Sequence, residues 1–183
     1  MTIVHVGAVG GANSKAGNQA SIAMNVDNTV EVGNAIILCV AKDNINTTFV
    51  DHNEFTSVID SQTNTWTKAV ERTNAANAKA STVGAIFFTT VTTELVGATD
   101  TITVNFAASN SNDASAVIAD EFTITNEIIA VIDSGVAQAD GADLPSIALS
   151  GLANSEHLFI YGGMKENAGI TYTAGTGATL FTS

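Results

Sequence analysis

Catalysis and metal binding draw on histidine, cysteine, carboxylate and activated hydroxyl groups, and this chain spaces them widely. It has three histidines, His5, His52 and His157. Metal sites usually carry two ligands close together, as in His-x-x-x-His or Cys-x-x-Cys, and no such pair occurs. His5 and His157 fall in or beside predicted strands, where a half-buried imidazole with a polar partner is expected. His52 belongs to the polar turn Asp51-His52-Asn53-Glu54. Cys39 is the single cysteine, so no internal disulfide can form. It sits in the apolar run Ala35–Ala41 and reads as a small buried hydrophobe rather than a reactive thiol.

Other constellations fare no better. A hydrolytic triad needs a nucleophile held beside an oriented base, and the Gly-x-Ser-x-Gly elbow is absent. A carboxylate pair for glycoside hydrolysis meets only in the fold. Its best candidates are Asp120 and Glu121 next to Phe122. Neighbours on a strand point to opposite faces, so these two read as a solvated face instead. Calcium needs six to eight oxygen ligands. Asp140-Gly141-Ala142-Asp143 and Asp43-Asn44-Ile45-Asn46 approach that need but read as ordinary turns. Gly7-Ala8-Val9-Gly10-Gly11 lacks the Lys-Ser/Thr and the helix of a phosphate loop. The chain is therefore expected to be no enzyme and to carry no metal and no cofactor.

Exposed aromatics would suit sugar binding. Trp66, between Thr65 and Thr67, shares a strand face with Val70 and is expected in the core. Tyr161 and Tyr172, on late strands bordered by glycines, are the candidate ligand-facing aromatics.

The elements that must position these residues are strands. Hydrophobic residues make up 45% of the chain and charged residues 13%, which excludes disorder of the high-charge kind. The polar surface comes from 24 Thr and 17 Asn, favouring strands and turns respectively. A net charge of −12, with the six basic residues scattered, argues against nucleic acid. No basic region precedes the apolar stretch near Met1, so no secretory signal is expected. The longest apolar run falls far short of the roughly 20 residues of a membrane span, and no membrane partner is expected.

Alternation predicts strands at Thr2–Val9 (ended by Gly10-Gly11), Ala20–Val26 and Ala35–Lys42. The last is apolar on both faces and so central. Phe55–Asp60 and Thr65–Glu71 flank Ser61-Gln62-Thr63-Asn64, which reads as a hairpin turn. Asn74–Ala80 reads as a loop or a helical turn. Strands follow at Thr82–Thr93, Thr101–Phe106, Ala114–Ile124, Ile128–Ile132, Ser146–Leu149, Leu158–Gly162, Ile170–Thr173 and Thr179–Thr182. Ser109–Asp113 and Gly135–Pro145 are loops. No window carries a capped helical stripe. The expected fold is all-β: one domain over residues 1–183, a two-sheet antiparallel sandwich, jelly-roll-like or Ig-like.

Within this pattern, Val32–Ala41 is followed by Asp60-Ser61-Gln62-Thr63-Asn64-Thr65-Trp66. Then come Asp100-Thr101-Ile102-Thr103-Val104 and a strand ending Glu121-Phe122. The order resembles a β-sandwich module of structural proteins of tailed phages and of some bacterial surface proteins. There a D-x-x-x-N-T-W turn precedes the Trp strand, and a D-T-I-T-V strand precedes an apolar one ending in E-F. The likeness covers roughly residues 30–125. It implies a virion structural role: a capsid decoration or cement protein, or a tail component. The implied partners are other virion proteins, the major capsid protein first, and further copies of the chain, with a trimer as the expected form. The implied location is the virion, assembled in the host cytoplasm. The alternative is a glycan-binding or adhesion module.

Overall fold

Among the described residues, eight antiparallel strands arise, most of them where apolar and polar residues alternate. A computed structural model describes residues 3–44, 53–73, 81–107, 114–124, 129–131, 133–135, 148 and 157–162. The strands are β1 (Ile3–Ser14), β2 (Ser21–Asn25), β3 (Ala35–Asn44), β4 (Phe55–Asp60), β5 (Thr67–Thr73), β6 (Ser81–Thr90), β7 (Thr101–Phe106) and β8 (Ser115–Ile124). No helix occurs among the described residues.

One sheet has the order β1-β8-β3-β6-β5 and the other β2-β7-β4. The pairings nest: β1 with β8, β2 with β7, β3 with β6. A long hairpin rolled over two sheets produces this nesting, and the two sheets form the expected antiparallel sandwich. Ala35–Ala41 lies in the central strand, as its two apolar faces require. Ile36, Leu38 and Val40 enter the core between the sheets, with Val83, Ala85 and Phe87 of β6 and Val117 and Ala119 of β8. The smaller sheet answers with Ile22, Met24, Phe55, Val58, Ile102, Val104 and Phe106. Each such Val, Leu, Ile, Met or Phe side chain contributes about 1.5–3 kcal/mol on burial.

The rolled hairpin departs from the expected pattern at its tip. Ser61–Asn64 is not a hairpin turn, because β4 and β5 belong to different sheets. It is a corner that carries the chain from one sheet to the other. Asp60 builds it: Oδ1 accepts from the backbone N–H groups of Gln62 and Asn64 at 2.9 and 3.1 Å, and Oδ2 accepts from Trp66 Nε1 at 2.7 Å. Thr63 takes the left-handed conformation at φ 62°. Buried Asn64 then ties the corner to the chain beyond β6. Its Oδ1 accepts from Thr92 N and Thr93 N at 2.8 and 2.9 Å, and its Nδ2 donates to Thr93 O at 3.0 Å. Trp66 packs against the core, as its sequence position suggests.

Two other expectations change. Gly10-Gly11 does not end β1, which runs on to Ser14 through irregularities between His5 and Gly7 and between Ala8 and Gly10. These shifts turn Val9 into the core and expose Val4 and Val6. Gly10 is there for proximity: a Cβ on it would lie 2.3 Å from the Asn25 carbonyl oxygen. Ile129–Val131 and residues 157–162 form no strand. They have no sheet partner among the described residues, but Ile129, Leu158 and Ile160 pack on Ile37, Phe88 and Phe122, on the outer face of the larger sheet. The features expected at Asn74–Ala80, Ser109–Asp113, Ile170–Thr173 and Thr179–Thr182 lie outside the described residues, as do most of Gly135–Pro145 and Ser146–Leu149.

Candidate functional site

Residues 157–162 form a strap over that outer face. Leu158 and Ile160 turn inward, and Gly162 passes close to Ile86 and Cys39. The intervening side chains turn outward, so Phe159 and Tyr161 are 62% and 63% exposed. His157 joins them, with its ring centroid 6.4 Å from that of Phe159. Tyr161 is thus an outward-facing aromatic, as its sequence position suggests. Tyr172 and His52 lie outside the described residues. Phe159 was not foreseen, although the alternation Leu158-Phe159-Ile160-Tyr161 carries the signal.

Beneath the strap, Cys39 lies on the outer face of β3 between Ile86 and Ile118. Burial pushes its thiol up to about 11, and the Asp120 carboxylate adds to the rise. The site therefore holds a neutral thiol near neutral pH. That disfavours nucleophilic or metal-binding use, both of which need the thiolate.

Asp120 and Glu121 point to opposite faces of β8, as adjacent strand residues must. They do not form a solvated face, because both are buried. The reason is that each has a polar partner, His5 on β1 and Asn34 just ahead of β3. Asp120 Oδ1 lies 3.0 Å from His5 Nε2 of β1, and Glu121 Oε1 accepts from Asn34 Nδ2 at 2.5 Å. The His5 ring also stacks, tilted, 5.2 Å from Phe122. Both carboxylates stitch neighbouring strands together.

Among the described residues, four charged side chains gather where β3 and β5 approach the residues ahead of β4. Lys42 Nζ donates to Glu54 Oε2 at 2.7 Å, with each side chain only 1% exposed. The ammonium also lies 5.2 Å from the Phe106 ring centroid. Next to this pair, Glu71 spans two groups. Its Oε1 accepts from the Glu54 backbone N–H at 2.6 Å, and its Oε2 accepts from Lys68 Nζ at 2.6 Å. Lys68 Nζ reaches Asn53 Oδ1 as well, at 2.5 Å, and lies 5.6 Å from the Phe87 ring centroid. Sequence reasoning missed this cluster, since Lys42, Asn53-Glu54 and Lys68–Glu71 are separate segments that meet only in the fold, and Lys68 and Glu71, three apart on β5, lie across the register shift between Lys68 and Val70.

Among the described residues, no group of three or more His, Cys, Asp or Glu is placed to hold a metal ion. No protein-family model matches the sequence, and neither curated proteins nor solved structures show a significant similarity to it.

Proposed function

We propose that the chain is a non-enzymatic structural protein of a phage particle, a capsid decoration or cement protein that binds the shell and further copies of itself. The observation that carries this reading is the pair of large rings, Phe159 and Tyr161, held outward on a strap whose alternate residues are anchored in a second apolar cluster. Fixed, exposed aromatic area marks contact surfaces. The buried polar side chains support the reading: those of Asp60, Asn64, Asp120 and Glu121 join strands and corners. The resemblance over residues 30–125 points the same way.

Undecorated capsids mixed with the protein and sedimented should carry it down, and Phe159→Ala with Tyr161→Ala should weaken binding at least tenfold. Absence from sedimented capsids and from purified virions refutes the reading. The same exposed Tyr161 supports a second reading, a glycan-binding or adhesion module. Retention on a glycan array that Tyr161→Ala abolishes, with no capsid binding, selects it.

A further inference from the structure

The Lys68, Asn53 and Glu71 cluster has the parts for a covalent bond. Lys68 supplies an amine, Asn53 a carboxamide, and Glu71 a carboxylate within hydrogen-bond reach of the amine. The Lys68 Nζ to Asn53 Oδ1 contact of 2.5 Å is shorter than an ordinary N–H···O bond. The amide carbon lies one C=O bond, about 1.2 Å, beyond that oxygen. It is therefore at most about 3.7 Å from Nζ, close to the ~3–3.5 Å separation from which bonds form. Glu71 is fixed at its other oxygen by the Glu54 N–H, and Glu54 is held by its own buried pair with Lys42. The proton carrier is thus positioned before any reaction begins. Asn53 is at the surface, so a released small molecule can escape.

We propose that Lys68 and Asn53 join spontaneously through an amide between Nζ and Cγ, with Glu71 as the proton carrier, stapling β5 to the residue pair ahead of β4. Glu71 takes a proton from the Lys68 ammonium. The freed Nζ pair attacks Cγ, and the carbonyl pair moves onto Oδ1. Collapse restores the carbonyl and breaks the Cγ–Nδ2 bond. The second amine proton passes through Glu71 to Nδ2, which leaves as ammonia. The net change is amine plus carboxamide to secondary amide plus ammonia, with no oxidant, reductant or cofactor. Glu54 offers no comparable route to Lys42, because an ionised carboxylate is a poor electrophile whereas an amide has a neutral leaving group. The bond would join the edge strands of the two sheets at the one place where the rolled hairpin leaves them unpaired. It does so whether or not the chain assembles on a particle.

Intact-mass spectrometry of the denatured full chain decides the matter, followed by trypsin. Trypsin cuts after Lys42, Lys68 and Arg72. The bonded chain should weigh one ammonia less than its sequence, and residues 43–72 should come off as a single closed peptide, because amidated Lys68 resists cleavage. Lys68→Arg and Asn53→Ala should each restore the full calculated mass, and Glu71→Gln should do so or greatly slow the loss. A chain at full mass overturns the proposal. So does a lighter chain still cut after Lys68, which would be a succinimide at Asn53. Bond formation at an unchanged rate in folded Glu71→Gln overturns the role of Glu71. If that variant does not fold, the unaltered chain and Lys68→Arg still decide whether the bond exists.

Discussion

Lys42→Met should be among the most damaging single substitutions in the protein. Methionine keeps most of the lysine's length and apolar stem, so little packing is lost. What is lost is the ammonium 2.7 Å from Glu54 Oε2, in a place where both side chains are 1% exposed. The Glu54 carboxylate then loses the ammonium that faces it in the core. Breaking a buried pair from one side costs about 3–5 kcal/mol, a large share of the ~5–15 kcal/mol that holds a domain together. At an m value of about 2 kcal/mol per molar urea, the unfolding midpoint falls by roughly 2 M, and the melting temperature drops by roughly 10 °C. Lys15→Met, at an exposed position, serves as the control and should move stability by less than about 0.5 kcal/mol. The double variant Lys42→Met with Glu54→Leu should recover most of the loss, because an apolar pair can replace a buried ion pair at little cost. Urea titrations of the unaltered chain, Lys42→Met, Glu54→Leu and the double variant measure the cycle, with Lys15→Met run beside them. The reasoning is refuted if Lys42→Met matches the Lys15→Met control, or if removing Glu54 as well makes matters worse by the full cost of a second deletion.

Three further outcomes follow from the same contacts. Gly10→Ala places a methyl 2.3 Å from the Asn25 carbonyl oxygen and should destabilise by about 1–3 kcal/mol or more through forced backbone movement, read as a lower melting temperature. Asn64→Ala strips the corner of its link to Thr92 and Thr93 and should cost about 1–3 kcal/mol, with amide exchange accelerated first at those two residues. The Cys39 thiol, raised from 9.0 to about 11, should react with a thiol-specific disulfide reagent far more slowly at pH 8 than an unfolded chain does. Because the raised value favours the protonated thiol of the folded state, its contribution to stability is complete below pH 9. It is lost as pH climbs from 9 toward 11, by on the order of 2–3 kcal/mol, visible in urea midpoints across that range.

Strand positions were legible in the sequence where alternation was clean. Phe55–Asp60 and Thr101–Phe106 are β4 and β7 to the residue, and the two-faced apolar run Ala35–Ala41 does occupy the sheet centre. Connectivity was less legible. Ser61–Asn64 has the composition of a hairpin turn, and only the Asp60 and Asn64 side-chain bonds reveal that it changes sheets. Gly10 looked like a strand breaker because composition cannot separate a glycine needed for flexibility from one needed for a close approach. Leu158–Gly162 shows strand alternation because one side is buried and the other wet, and a strap across a sheet satisfies that pattern as well as a strand does. The site is harder still. Tyr161 could be picked out as exposed by its glycine neighbours. The buried pair Lys42 with Glu54 and the part-buried pair His5 with Asp120 could not, since nothing local distinguishes a paired charged residue from a solvated one until its partner arrives across the fold.

The nested strand order also has a consequence for how the chain is made. β3 leaves the ribosome before both of its neighbours, β6 and β8. One of its edges stays without a sheet partner until about Thr90 has emerged, and the other until about Ile124. Pairings of such wide sequence separation form slowly, and a nascent strand carrying the apolar run Ala35–Ala41 is in that interval the segment most prone to associate with other chains. High-level expression should therefore be limited by the waiting time of β3, and slower growth at lower temperature should raise the soluble yield more than any change made at the surface of the finished sandwich.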